Sequence, residues 1–328
     1  MVKIAVDLMG GAGAGNQNLR ACARFSSPQE LILVGSQPDL DSELVRDLVA
    51  RGAQIQHCPR FLRGDESSRS LLKDPAQTSL ASALQMLAEE KADAVISSAD
   101  TKAVMVLGRR IVGTLESLQR PAIAKAFVGS QGRFYMLDLG ANVRCSADLL
   151  LQFARLGAAL HLGHDQVPGE ASEQKQKGQK PRVGLLNIGT EKGKGTATLN
   201  LAAELLAADP QIDSIGFIEP SELFAGLADV IVCDGYAGNL VLKTIESVAT
   251  FLGAKLKQSQ LPPEHLQSLA DEMDTDRYNG ALFVGLNGVV IKSHGSASEQ
   301  GFLHAIEQGR EAVQGNLIQA CAQGLASR

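Results

Sequence analysis

The sequence predicts an α/β protein of three layers, α/β/α, built on a doubly wound and mostly parallel sheet with helices over both faces. Three observations carry that expectation. Short apolar runs alternate with amphipathic stretches from end to end. Aromatic residues make up only 4% of the chain, and there is no Trp. Apolar residues reach 45% against 20% charged in 328 residues, enough for a large aliphatic core.

Residues 4–7, 31–34, 55–57, 94–97, 134–138, 183–187, 230–234 and 289–292 read as strands. Helical spacing fills 78–90, 147–162, 197–208 and 240–257. Consecutive parallel strands need long crossovers, which is the use such helices serve. The pattern suits one domain over 1–328, with two subdomains joined near 163–180, where GHDQVPGEASEQKQKGQK is almost without apolar residues. Lys175, Lys177 and Lys180 there read as a solvated basic loop or as a lure for an acidic partner. Pro262 and Pro263 interrupt a second helical stretch, so 240–278 reads as a helical-hairpin arm.

A net charge of −5, spread along the chain, argues against nucleic acid as a principal ligand. Cys22, Cys58, Cys145, Cys233 and Cys321 are scattered and never at C-x-x-C spacing, which points to no disulfide framework, no zinc site and a reducing, cytoplasmic compartment. No run of ~18 apolar residues suggests a membrane span, and the strand-like start suggests no leader. No metal or cofactor is expected.

In open α/β sheets, ligands lie beyond the carboxyl ends of the strands. The segments that follow the apolar runs are polar and glycine-rich: Asp7 with Gly10 to Gly15, Ser97 to Lys102, Gly140 to Asn142, Asn187 to Gly195, Asp234 to Asn239, and Lys292 to Ser296. Glycine lets backbone approach a ligand, and amides at a helix start face anions. The run from Gly10 to Gly15 fails the dinucleotide fingerprint, because Asn16 stands where a third glycine belongs, and reads as a tight turn or a phosphate contact. Between Gly189 and Thr196, Lys194 falls one position too early for a P-loop, so ATP or GTP binding is not supported. Ser293 and His294 are adjacent on an extended segment, which points them apart and disqualifies them as nucleophile and base. His294 is either a structural loop residue or, beside Lys292, an anion ligand. Asp138 and Asp234 end apolar runs and either cap the next helix or serve the site.

Four stretches carry a family resemblance: LDLGANV at 137–143; PRVGLLNIG at 181–189 with Lys194 and Gly195; ADVIVCDGYAGN at 228–239 followed by Val241 to Lys243; and YNGA at 278–281 with GLNGVVIKSHGS at 285–296. In this order they closely resemble the acyl-ACP:phosphate acyltransferases, the PlsX family. The resemblance implies a fold related to phosphotransacetylases and isopropylmalate dehydrogenases, and a homodimer paired through the arm. It also implies a reaction of acyl carrier protein thioester with inorganic phosphate that feeds phosphatidic acid synthesis. On that footing Lys194, Lys292, Ser293 and His294, with amides near Gly189 and Gly295, hold phosphate or the oxyanion. Asn142, Asn187 and Asn239 orient the carbonyl, Asp234 positions a lysine or the ligand, and Gly235 and Ser296 complete the substrate contacts. The chemistry asks for positioning and charge and needs no covalent intermediate, because phosphate is itself the nucleophile and a thiolate leaves readily.

The chain departs from that family pattern at Ala12, where Asp is usual, at Ala99 to Lys102, where Gly-Asn-Thr-Gly is usual, and at Arg144, where an acidic residue is usual. The arm is also shorter, and its tip at Gln258 to Gln260 is polar. That tip lacks the apolar face beside basic residues that the family's weak membrane-surface contact needs. Two other functions fit these residues: a phosphotransacetylase-like enzyme using acyl-CoA, and a catalytically silent paralogue that binds acyl carrier protein or phosphate.

Overall fold

Successive side chains of a strand point to opposite faces of its sheet, and this chain supplies aliphatic residues to both. The computed structural model describes residues 1–11, 14–73, 78–164, 179–191, 193–257 and 279–326. Residues 165–178 of the expected insert, 258–278 of the expected arm, and Ala12 lie outside the described residues.

The elements in chain order are β1 (Ile4–Asp7), α1 (Ala14–Arg24), β2 (Leu31–Gly35), α2 (Gln37–Leu40), α3 (Glu43–Ala50), β3 (Gln54–His57), α4 (Ser68–Lys73), α5 (Ser79–Ala88), β4 (Ala94–Ser97), α6 (Thr101–Ile111), β5 (Ala122–Gly129) and β6 (Gly132–Leu137). Then follow α7 (Ala147–His164), β7 (Arg182–Leu186), α8 (Ala197–Ala208), β8 (Asp213–Ile218), β9 (Val230–Val232), α9 (Gly235–Lys257), β10 (Ala281–Val284), β11 (Val289–Lys292), α10 (Glu299–Gln314) and α11 (Leu317–Ala326). Helix starts carry their own caps: Thr78, Asp100, Thr196 and Ser298 each accept a hydrogen bond from an amide of the first turn.

All strands join one 11-stranded sheet in the order β3-β2-β1-β4-β11-β10-β5-β6-β9-β7-β8. Seven of its pairings are parallel: β1 with β2 and β4, β2 with β3, β4 with β11, β6 with β9, and β7 with β8 and β9. The pairings β11-β10, β10-β5 and β5-β6 are antiparallel. Three reversals in a row make the β6-β9-β7-β8 block run opposite to the β3-β2-β1-β4-β11 block. The chain crosses between the blocks at β5-β6 and returns after α9. Both crossings place β5 and β10 at the centre.

The two faces pack separately. Ile4, Val6, Ile96, Leu137, Val230 and Ile291 belong to one buried cluster, with α7 and α10; Ala5, Val95, Met136, Ile231 and Val290 belong to the other, with α5 and α6. Alternate residues of the same strands thus enter different cores, which is the three-layer arrangement expected from the sequence.

The start of α9 is pinned against the end of β6. A Cβ on Gly238 would run into the Asp138 carbonyl oxygen and would lie 2.8 Å from the Cys233 sulfur. Asp138 is fully buried, and its carboxylate accepts from the amides of Ile123, Gly140, Ala141 and Asn142 and from the Asn142 side chain. Burial pushes its pKa up, while these donors pull it back. Gly238→Ala should therefore destabilise the fold by roughly 2–3 kcal/mol, because neither the backbone carbonyl nor the helix can yield freely. Urea denaturation measures this; a midpoint equal to wild type would show that α9 is not held by this contact.

Candidate active site

A cleft of about 670 Å³ opens over the central antiparallel strands. Ile123 and Lys125 of β5, Ala281 of β10 and Lys292 of β11 form its floor. The alternate residues Ala124, Ala126 and Ile291 turn instead to an apolar cavity against Leu160 and Leu317, which is lined by none of the candidate site residues. One wall of the cleft is α9, whose Asn239, Leu242, Lys243, Glu246 and Thr250 repeat at three and four residues and so share a face. His294, Ser296, Ala297 and Thr101 form the other rim, and Leu139 and Gly140 close one end.

Lysines dominate its chemistry. Lys243 Nζ donates to Glu246 Oε2 at 2.8 Å, and Lys125 Nζ stands 3.7 Å from Glu246 Oε1. Lys292 is mostly buried, and its ammonium donates to the Ser293 carbonyl at 2.8 Å. Burial pushes its pKa down to about 8, with Asp100 and Glu246 opposing and Lys243 adding to the fall. Burial, then the charges of Lys292 and Lys243, hold the His294 pKa below its ordinary value, so the ring is mainly neutral near pH 7. Its Nδ1 lies 2.9 Å from the Ser296 hydroxyl.

Asn279 sets the geometry of this rim. Its side chain donates to the Ser293 hydroxyl at 2.7 Å and to the Gly301 carbonyl at 2.8 Å, and it accepts from the His294 amide at 3.0 Å. Ser293 is buried and engaged by that amide, so it secures the loop from behind. Gly295 follows, with its turn against the Ser98 carbonyl.

The other residues singled out from the sequence gather beyond the carboxyl ends of β6, β9 and β7 and do not line the cleft. Leu185 pairs with Val232, so Asn187 and Asp234, each two residues further on, leave neighbouring strand ends together. Asn187 is buried and donates to the Lys194 carbonyl at 3.2 Å, while its Oδ1 has no hydrogen-bond partner among the described residues. A Cβ on Gly195 would collide with that oxygen, and Gly195 has φ +79°, so glycine is required there twice over. Gly189 packs on the Lys194 side chain, and Lys194 is exposed. Asp234 caps α9 by accepting from the Ala237 amide at 2.8 Å, and the Gly235 amide donates to the Asn142 carbonyl at 2.7 Å. The Asn142 side chain turns inward to Pro121 and Asp138. The first turn of α9 connects both groups, since it starts at this strand end and carries Asn239, against Gly140, into the cleft.

Of the chain's unusual residues, the described ones Ala99, Asp100, Lys102 and Arg144 do not line the cleft. Thr101 lines it, but Lys102 is exposed and its charge acts on Glu66, and Arg144 is exposed. A Cβ on Gly10 would meet the Asp7 carboxylate, the Ser97 hydroxyl and the Ala99 amide, so that glycine serves the close packing of two strand ends. Asp7 itself is buried and accepts from the Ser97 hydroxyl at 2.6 Å.

Lys125 and Glu246 stand outside the residues singled out from the sequence, and Lys243 and Asn279 fall within the quoted motifs without a role given to them. Lys243 and Glu246 were findable, because they follow Asn239 at four and seven residues on one helix face. Lys125 was not, since it sits in a strand that the apolar pattern does not mark.

The family described as fatty acid synthesis protein matches residues 2–320. A phosphate acyltransferase of Pseudomonas putida (strain GB-1) is 38% identical, over 96% of this chain and 95% of that one. Another, of Bordetella bronchiseptica, is 37% identical over 99% of this chain and 94% of its own. Among solved structures, a phosphotransacetylase from Streptococcus pyogenes superposes with a TM-score of 0.61 at 16% identity, covering 99% of this chain and 94% of that one. A branched-chain phosphotransacylase from Enterococcus faecalis V583 gives 0.59 at 14% identity, covering 95% and 99%. These structural likenesses establish the fold, and the sequence matches establish the lineage. The chain belongs to the fatty acid synthesis protein family, alongside proteins named phosphate acyltransferase.

Proposed function

We propose that this protein transfers the acyl group of an acyl carrier protein thioester to inorganic phosphate, releasing acyl phosphate for phospholipid synthesis. The observation that carries the reading is the convergence of Lys125, Lys243 and Lys292 on one cleft where Glu246 is the single carboxylate among the described lining residues. Phosphate enters among these ammonium groups, with Lys292, His294 and Ser296 beside it and Asn239 on the α9 side. One phosphate oxygen attacks the thioester carbonyl carbon, forming the new C–O bond. The C–S electron pair then leaves with sulfur, and the thiolate is protonated from water. Cations already in place stabilise the tetrahedral oxyanion without reorganisation. Asn187, whose oxygen has no partner among the described residues, Lys194 and Gly189 form a second polar loop for the thioester arm. Asn142, Asp234, Gly235, Ser293 and Gly295 hold the loops and the start of α9 in position.

The protein acts in the cytoplasm as a homodimer. Support for the dimer lies in α9, where Tyr236, Leu240, Val248, Phe251 and Leu252 are exposed and do not line the cleft. Among the described residues no helix is long and apolar enough to cross a membrane.

Incubating the protein with acyl carrier protein thioester should yield an acyl phosphate that hydroxylamine traps, and only when phosphate is present. Equal turnover of coenzyme A thioesters would favour the phosphotransacetylase-like reading, and carrier binding without turnover a silent paralogue. Lys292→Ala should lower kcat/KM for phosphate by on the order of 10²–10³ with the melting temperature nearly unchanged. Wild-type kinetics in that variant would remove the cleft from the mechanism.

The pH dependence follows from the same lysine. Its charged form binds the anion, so the phosphate KM should rise as pH passes through about 8. Asp100, Lys243 and Glu246 all act on this ammonium through their charges. Lys292→Arg keeps its charge at all working pH values and should carry this alkaline limb upward. A profile identical in wild type and Lys292→Arg would assign the limb to another group.

A further inference from the structure

Glu246 holds a position that the acyl transfer reaction does not require. It projects from the cleft face of α9 with its carboxylate between two ammonium groups, 2.8 Å from Lys243 Nζ and 3.7 Å from Lys125 Nζ. Lys125 is a poor residue to leave uncompensated, for its side chain is only 11% exposed. Lys292 and His294 also lie within the electrostatic reach of Glu246. Asp100, the other carboxylate acting on Lys292, is tied to the amides of Lys102 and Ala103 as the cap of α6. Glu246 is thus the carboxylate free to turn.

We infer that Glu246 is a resident counter-ion that competes with the incoming anion and sets the affinity of the cleft for it. With the cleft empty, Glu246 bridges Lys125 and Lys243 and relieves the repulsion between them. A phosphate placed among the three lysines offers its oxygens to the same ammonium groups, and the Glu246 carboxylate swings toward solvent. Three features suit this exchange. The contact with Lys125 is long for an ion pair, and the Glu246 side chain is 26% exposed, so water can receive it. Its pairing with Lys243 is a local i,i+3 contact on one helix, with both side chains partly in solvent, which is the weak kind. A tethered carboxylate also acts without leaving, so it lowers phosphate affinity at every phosphate concentration and speeds the release of an anionic product.

The competition gives the test an unusual sign, because removing a charged site residue should strengthen binding. The inference rests on the cleft being the phosphate site, and the variants separate the two claims. Inorganic phosphate is titrated calorimetrically into the full-length protein at low and at high salt. Glu246→Gln should bind phosphate about tenfold more tightly at low salt, with the gain shrinking as salt screens the lysines. Glu246→Ala, which also removes the bulk of the side chain, should move the same way. Glu204→Gln, an equal change of net charge at an exposed position on α8, should match wild type. Lys292→Ala should weaken binding. If Lys292→Ala weakens binding while both Glu246 variants bind as wild type or less tightly, the counter-ion role is wrong and the phosphate site stands. If Lys292→Ala binds phosphate as wild type does, the cleft is not the phosphate site and both claims fall together.

Discussion

The reversal of strand direction across β10 and β5 is the constraint on which the rest of this molecule depends. A wholly parallel sheet would gather all its ligand loops at one edge. Here the two parallel blocks point opposite ways, so their carboxyl ends open at opposite edges, and the central strands between them are left to form a floor. That floor lets Lys125 stand in the middle of a strand and still reach the cleft, while Lys292 arrives from the end of β11. The antiparallel pairing of Ala281 with Lys292, and of Leu282 with Ala124, fixes how far apart these lysines sit.

The floor alone binds nothing; α9 supplies the facing wall, and its placement depends on close packing where it begins. Gly238 lies directly on the end of β6, the Gly235 amide is bonded to Asn142, and Asn142 is bonded to Asp138. Any side chain at Gly238 would push the helix off this seat, and its cleft face with it. Glycines in this chain therefore serve two purposes. Some, such as Gly195 with its positive φ, shape a loop. Others, such as Gly238, buy proximity between elements.

Much of this was legible in the residues. The strands at 4–7 and 94–97 and the helix at 197–208 were marked to the residue by their apolar pattern, and β6, β7, β9 and α9 differ only at their ends. Three strands escaped for separate physical reasons. β5 carries Lys125 between alanines, because one of its faces looks into a polar cleft. β8 has intermediate burial along most of its length and a glycine in its middle, at Gly216, as an edge strand does. β10 is the unbroken apolar run ALFV, which periodicity alone does not tell from buried helix, and it abuts the stretch read as a helical arm. The misses among the site residues have the same origin. Reading loops beyond parallel strands found Lys292, His294 and Asn239, but it had no means of finding a lysine in the interior of an antiparallel strand. It also grouped Asn187 and Asp234 with Lys292 by chain pattern, although the sheet reversal sends their strands in the opposite direction.

The electrostatics of the cleft follow from that geometry. Lys292 is mostly buried, and burial lowers its pKa to about 8, so part of its stabilisation waits for an anion to arrive. An anion that enters restores the charged form and is held by it, which couples binding to protonation. Lys125, whose side chain is only 11% exposed, instead faces a carboxylate on the opposing helix, 3.7 Å away. The two lysines thus solve one desolvation problem in different ways, one by tending toward neutrality and the other by borrowing a counter-ion. A site made wholly of the first kind would lose its cations as pH rises through about 8, and one made wholly of the second would leave no charge for a ligand. Combining them gives a cleft that folds without excessive repulsion and still presents net positive charge to an anion.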